Sequence, residues 1–141
     1  MGIRKNILIM DSDLETIKHI SNILFMSNSN WTIFTLSSGK QCLDIINYID
    51  CLDVVIVGMK LIDMTGMELI ERIRDYSDIP IILLSNDRET YTLVKAFDTG
   101  ANDFIIIPIN KAIFIARIKA LIRRRDWDIR AAAIKLININ G

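Results

Sequence analysis

Imidazole and thiol chemistry is nearly absent from this chain. There is one histidine, His19, and there are two cysteines, Cys42 and Cys51, with no CxxC pair between them. That scarcity leaves no zinc-ligand pattern and no disulfide framework, so the cysteines read as ordinary reduced thiols. A Ser/His/Asp arrangement is excluded as well, because His19 falls inside a helical stretch remote from Ser85. Neither sign of charge dominates: 17 basic residues balance 17 acidic ones. A neutral chain is not a general nucleic-acid or membrane-surface binder, since both rely on basic excess. Long apolar runs are missing too. ILIM, VVIV, IPIILL and FIIIPI all fall far short of the roughly 18 residues a membrane span needs. The start MGIRKNILIM is too short in its apolar part for a signal peptide, and Asn6 stands where myristoylation needs Ser or Thr. A cytoplasmic protein is expected.

What remains is an unusually apolar soluble composition, 51% hydrophobic with a mean hydropathy of +0.33. Strands buried on both faces account for it. Short β-rich runs alternate with helical patterns, the signature of repeated βα units and a parallel sheet. The strands read as Asn6–Met10, Trp31–Leu36, Val54–Val57, Ile81–Leu84 and Phe104–Ile107. The helices read as Leu14–Met26, Gly39–Asp50, Met67–Tyr76, Arg88–Thr99 and Lys111–Arg125. In the first helix Leu14, Ile17, Ile20, Ile23 and Leu24 make an apolar stripe behind Asp13, a carboxylate suited to a helix start. Ser37 or Ser38 can cap the second, and Gly100 ends the fourth. Right-handed crossovers place helices on both sheet faces. One domain therefore covers residues 1–125. Residues 126–141 change character: Ile137 and Ile139 alternate with Asn138 and Asn140, which reads either as the first strand of a further unit or as a disordered tail. Trp31 reads as packing at the start of the second strand, and Trp127 as covering the end of the fifth helix.

The blocks ILIMDSD, LDVVIVGMKLIDMTGMELIERIR, IPIILLSND, GANDFIIIPIN and ARIKALIRRR, in this order over residues 3–125, resemble the receiver domain of two-component response regulators. The resemblance implies a flavodoxin-like (βα)5 doubly wound parallel sheet with strand order 2-1-3-4-5. It also implies phosphoryl transfer to an aspartate at the end of the third strand, with Mg²⁺ held by two acidic residues after the first. A hydroxyl after the fourth strand and a lysine before a proline after the fifth complete that set. A developing phosphoryl charge needs such a hard cation and a fixed ammonium.

Carried over position by position, the pattern is degenerate. Asp11 keeps the first acidic position, but Ser12 replaces the second, and Asp13 matches a neighbour that usually faces elsewhere. The acceptor position is Gly58. Ser85 keeps the hydroxyl, Ile107 replaces the lysine, and Pro108, expected to be cis by resemblance, is kept. No substitute carboxylate is at hand: Asp53 is five residues upstream, roughly 16 Å away at the strand's other end. Asp63 would have to fold back from the following loop. Mg²⁺ binding is not expected, and no cofactor is. Lys60 is expected to place its ammonium on Asp11 where a metal would sit. A flavodoxin-like FMN site is a weak alternative, because Asp11 and Asp13 stand where a phosphate cradle needs hydroxyls and free amides.

ARIKALIRRR most resembles the OmpR/PhoB class, whose receivers pair through the fourth helix, fifth strand and fifth helix with cross-subunit salt bridges. The resemblance keeps one such pair, Asp103 and Arg117, and replaces another by Leu93 and Ile113. Two apolar residues in place of an ion pair need no desolvation of charge, which points to a homodimer that forms without phosphorylation. The alternative is that Leu93 and Ile113 are buried helix positions. Phe104 falls at the family's rotating switch, either locked in one rotamer or a plain core residue. The expected function is a phosphorylation-independent receiver that dimerises and regulates a winged-helix DNA-binding domain carboxyl-terminal to residues 126–141. DNA would be bound only through that domain, with Arg123–Arg125 leading into the linker. The competing reading is a protein-interaction adaptor with no transcriptional role.

Overall fold

The computed structural model describes residues 4–28 and 30–140, with side chains to residue 138. Residue 3 of the resemblance, the side chains of Ile139 and Asn140, and Gly141 lie outside the described residues. In chain order the elements are β1 (Lys5–Met10), α1 (Leu14–Ser27), β2 (Trp31–Leu36), α2 (Gly39–Asp44) and a 3₁₀ helix (Ile46–Cys51). There follow β3 (Val54–Gly58), α3 (Gly66–Arg74), β4 (Ile81–Ser85), α4 (Thr90–Thr99), β5 (Asp103–Ile106) and α5 (Lys111–Asn140). The five strands form one parallel sheet in the order β2-β1-β3-β4-β5, as the resemblance implies.

Period-two alternation divides the strand side chains between two cores. Leu8, Met10, Val55, Val57, Ile81 and Leu83 pack under α2, α3 and α4 against Leu69, Ile70, Ile73 and Ala96. Ile7, Ile9, Val54, Ile56, Ile82 and Leu84 pack under α1 and α5 against Ile20, Leu24, Phe114 and Ile118. β3 and β4 are buried along their whole length. This is why their sequences are unbroken apolar runs, each such side chain contributing about 1.5–3 kcal/mol.

Local signals set most boundaries. Asp13 caps α1 by accepting the Glu15 N–H, and Ser38 with Gln41 forms a full capping box on α2. Gly100 ends α4 at φ +125°, its N–H donating to Ala96 and Phe97 carbonyls.

Three expectations are corrected. Leu14 is not core: it opens α1 and is 66% exposed, the helix burying Ile17, Ile20, Ile23 and Leu24 instead. The second helix is α-helical only to Asp44 and then tightens to 3₁₀, in a stretch of β-branched and aromatic residues with weak helix propensity. The fifth helix does not stop at Arg125. No glycine or proline follows Pro108 before Gly141, and Ala131–Ala133 favour helix, so α5 runs to Asn140, about 45 Å. Residues 126–140 are therefore neither strand nor disordered tail, and Trp127 is exposed in mid-helix rather than covering an end. Lys5–Asp126 at 2.9 Å and Arg125–Asp50 at 3.8 Å fasten α5 where it leaves the sheet. Charge is unevenly shared. α5 carries eight basic and two acidic residues, leaving nine basic and fifteen acidic on the rest of the chain. No helix among the described residues is long and apolar enough to cross a membrane.

Candidate functional site at the carboxyl ends of the strands

The parallel registers Met10↔Val57, Gly58↔Leu84 and Ser85↔Ile106 bring Asp11, Gly58, Ser85 and Ile107 to one crest of the sheet. Asp11 is half-buried there. Its Oδ1 accepts the Asp13 N–H at 2.9 Å, and its Oδ2 lies over Gly58. A Cβ at position 58 would overlap that oxygen and stand 2.7 Å from Asp11 Cγ. Burial pushes the Asp11 carboxyl pKa up, the neighbouring Asp13 charge adds to the rise, and the Asp13 N–H works against it.

The residues around it are committed elsewhere. Asp13 spends its carboxylate on α1, accepting the Glu15 N–H at 3.1 Å and the Thr16 hydroxyl at 2.9 Å. Ser12 is exposed, its N–H donating to the Lys60 carbonyl at 3.1 Å. The Asp11–Lys60 ion pair does not form. Pairs among the described residues are Lys5–Asp126, Arg117–Asp103 and Arg125–Asp50, while the Lys60 backbone bridges Thr65 and its side chain is exposed. Extending away from the strand leaves the ammonium hydrated, and an exposed pair would return little. Asp53 sits at the other strand end, accepting the Asn6 N–H at 2.8 Å.

Asp63 does not fold back toward Gly58. Its two oxygens accept the Gly39 and Lys40 N–H groups at 2.7 and 2.9 Å, tying the loop after β3 to the start of α2. The Lys40 N–H is the largest cause holding its pKa below the ordinary value. The same loop closes through Gly66, whose N–H donates to the Met59 carbonyl at 2.9 Å. A Cβ there would collide with the Gly58 carbonyl oxygen and stand 3.0 Å from Val57 Cγ1.

Ser85 is buried, and its Oγ accepts the Asp87 N–H at 2.9 Å. Asp87 in turn accepts the Thr92 hydroxyl at 2.7 Å and the Glu89 N–H at 2.9 Å, bonds that lower its pKa, that from Thr92 most. This chain from β4 to α4 was not foreseen. Its only sequence signal is an aspartate between a serine and the helix start. Ile107 packs against the α1/α5 core, its N–H on the Ser85 carbonyl at 2.9 Å, and the Ile107–Pro108 bond is cis. Phe104 is buried in the opposite core.

Gly58 leaves the acceptor position of the crest without a side chain. Mg²⁺ takes near-octahedral oxygen ligands. Here one Asp11 oxygen is bound to an amide, Asp13 is a helix cap, and positions 12 and 58 carry no carboxylate, so the residues present do not fit that ion. Among the described residues no group of three or more His, Cys, Asp or Glu is arranged to hold a metal. The loop after β1 is no phosphate cradle either, because its carboxylates already accept its amides.

At the side of the domain, Arg117 and Asp103 pair within one chain at 2.7 Å. Leu93 and Ile113 are not buried: they are 38% and 50% exposed, and Val94 and Phe97 of α4 are exposed as well. Leu93, Val94 and Phe97 share one stripe of α4, flanking the side that buries Thr92 and Ala96.

Residues 7–119 match the family described as response regulator receiver domain. Among curated proteins, the chain is 31% identical over 137 residues to response regulator ArlR of Staphylococcus epidermidis, covering 96% of this chain and 58% of that protein. It is 29% identical over 120 residues to response regulator ArlR of Staphylococcus aureus, covering 84% of this chain and 51% of that protein. The chain thus spans between half and three-fifths of these relatives' length. Among solved structures it is similar to a two-component response regulator from Clostridium difficile, with a TM-score of 0.78 and 24% identity over 86% of this chain and 98% of that one. It is also similar to the signal receiver domain of an HD domain-containing protein from Pseudomonas fluorescens, with a TM-score of 0.80 and 20% identity over 92% of this chain and 95% of that one.

Proposed function

Because the chain belongs to the response regulator receiver domain family, we propose that it is a receiver that signals without accepting a phosphoryl group. One observation carries the reading. Asp11 fills the space in front of Gly58, so the position that would need a reactive carboxylate lacks one and has no room for one. The neighbouring losses agree with this, since a lysine at 107 would face no counter-charge and Ile107 packs into the core instead.

In this reading the output is association through the face of α4, β5 and α5, where Leu93, Val94, Phe97 and Ile113 expose apolar surface beside the Asp103–Arg117 pair. Scattered apolar residues are ordinary on a surface, but a helix stripe of three beside a fourth on the next helix fits a pairing face. The pair then sets the spacing of attached DNA-binding domains, in the cytoplasm.

Sedimentation velocity with and without acetyl phosphate and Mg²⁺ tests this. The expected result is a dimer whose mass and dissociation constant ignore both additions, with no acid-labile phosphate on the protein. Leu93→Arg is expected to weaken that dimer at least tenfold. Phosphate incorporation, or a dimer that needs it, overturns the reading. A monomer at every concentration favours an adaptor that binds another protein.

A further inference from the structure

The two edges of the sheet are built differently. β5 is four residues long and carries Asp103, held by Arg117. β2 is six residues, Trp-Thr-Ile-Phe-Thr-Leu, with no charge, proline or glycine, and among the described residues it pairs only with β1. Proteins ordinarily blunt an edge strand with one of those devices, because its unpaired backbone groups are a template for another strand.

The ladder fixes which groups are free. Lys5 N–H donates to the Asn30 carbonyl and Asp11 N–H to the Leu36 carbonyl, so even-numbered residues of β2 direct their backbone groups at β1. Ile33 and Thr35 direct theirs outward. The same alternation puts Phe34, 47% exposed, over an apolar groove beside the edge, of about 420 Å³, lined by Leu8, Leu36, Ile45, Tyr48 and Leu52. The groove exists because α2 gives way to a 3₁₀ helix after Asp44 and leaves this corner of the sheet thinly covered.

We propose that β2 pairs antiparallel with β2 of a second copy, joining two sheets edge to edge about a two-fold axis at Phe34. A register that sets Ile33 opposite Thr35 of the other copy matches outward groups to outward groups; one centred on Ile33 or on Thr35 would instead call on Trp31, whose N–H already donates to the Asn28 carbonyl, or on Ser37, whose N–H donates to Gln41 Oε1. That register gives four backbone hydrogen bonds and puts the two Phe34 side chains directly opposite each other, in a non-hydrogen-bonded pair with Cα atoms about 4.5 Å apart. The aromatic pair closes both grooves, an arrangement favourable beyond its area. A foreign strand would also accept the backbone bonds, but the same strand, turned about the axis, satisfies all of them without introducing a charge. The strand, Phe34, Ile45 and Tyr48 bury on the order of 500 Å² per copy, about 1,000 Å² in all, the lower bound of a specific interface. The contact is isologous and closes on itself. It lies at the opposite edge of the sheet from α4, so it is independent of the pairing face proposed above.

The test is run on the Leu93→Arg chain, in which association through α4 is weakened, and the β2 amides report the edge contact separately from it. Sedimentation velocity from micromolar to millimolar concentration is combined with amide hydrogen exchange. The expected result is a monomer–dimer equilibrium, with the Ile33 and Thr35 amides gaining at least tenfold protection as the dimer fills. Phe34→Lys, which sets two ammonium groups face to face, is expected to abolish both effects. Thr35→Lys, at an exposed position, should do the same if Phe34→Lys perturbs folding by circular dichroism. Free exchange of the two amides at the highest concentration, or a dimer insensitive to both lysines, overturns the proposal. Loss of the α4 dimer in the parent chain leaves this result untouched, so the two readings fail separately.

Discussion

The Asp11 carboxylate occupies the space in front of Gly58 that any side chain at position 58 would need. Asp11 is anchored there by the Asp13 N–H and cannot withdraw without giving up that bond.

Gly58→Ala is therefore expected to destabilise the fold by about 1–2 kcal/mol through overpacking. Asp11→Ala in the same chain should recover most of the loss, and a double-mutant cycle in urea measures the coupling. Additive effects would mean that Asp11 moves aside freely.

Asp11 also predicts a pH dependence. Its pKa is raised in the folded chain from the ordinary 3.8, so between that value and the folded pKa the folded state holds a proton that the unfolded state has lost. Stability contributed by this group falls as pH rises through that window and stays lower above it. Asp11→Asn keeps an oxygen for the Asp13 N–H and removes the titration. Its stability relative to the parent should rise across the window and level off above it, as urea unfolding at a series of pH values would record.

Gly66, which opens α3, and Gly39, which opens α2, should differ. Gly66→Ala drives a Cβ into the Gly58 carbonyl, a backbone atom that cannot yield, and a loss of about 3 kcal/mol is expected. Gly39→Ala meets only side-chain atoms of Met64, from Cγ to Cε, which can rotate away, and should cost less than about 1.5 kcal/mol. Thermal melts rank the pair.

The cysteines should label in sequence. Cys51 is exposed, whereas Cys42 is buried and its thiol pKa is pushed up to about 11 by that burial. A thiol-specific reagent near neutral pH should titrate one group in the native protein and the second only on unfolding. Two fast equivalents would show that α2 opens readily.

Much of this architecture was legible because it rests on short-range patterns. VVIV and IILL, short β-branched-rich runs between turn signals, fit strands buried on both faces, and Asp13, Ser38 and Gly100 mark helix ends by their own backbone chemistry. Leu14 and the tail were misread for one shared reason. Periodicity reports which face a residue occupies but not whether anything packs against it, so an apolar residue in a helix's first turn reads as core. Ile137–Asn140 alternates like a strand with no sheet to join. At the crest, the missing groups at 12, 58 and 107 could be counted from the sequence. The places of Asp63 and Asp87 could not, because each depends on which nearby amides the fold leaves unpaired, and neither could that of Lys60, whose side chain stays in water.

The concentration of basic residues on α5 means that a chain neutral by count is an electric dipole, positive along one long helix and negative over the remainder. An acidic partner is drawn to that helix before any contact is made. That attraction reaches about 10 Å at 0.1 M salt and shrinks as salt is added. Ionic strength thus acts on how quickly this protein finds a partner, and from which side, more than on how firmly its core holds together.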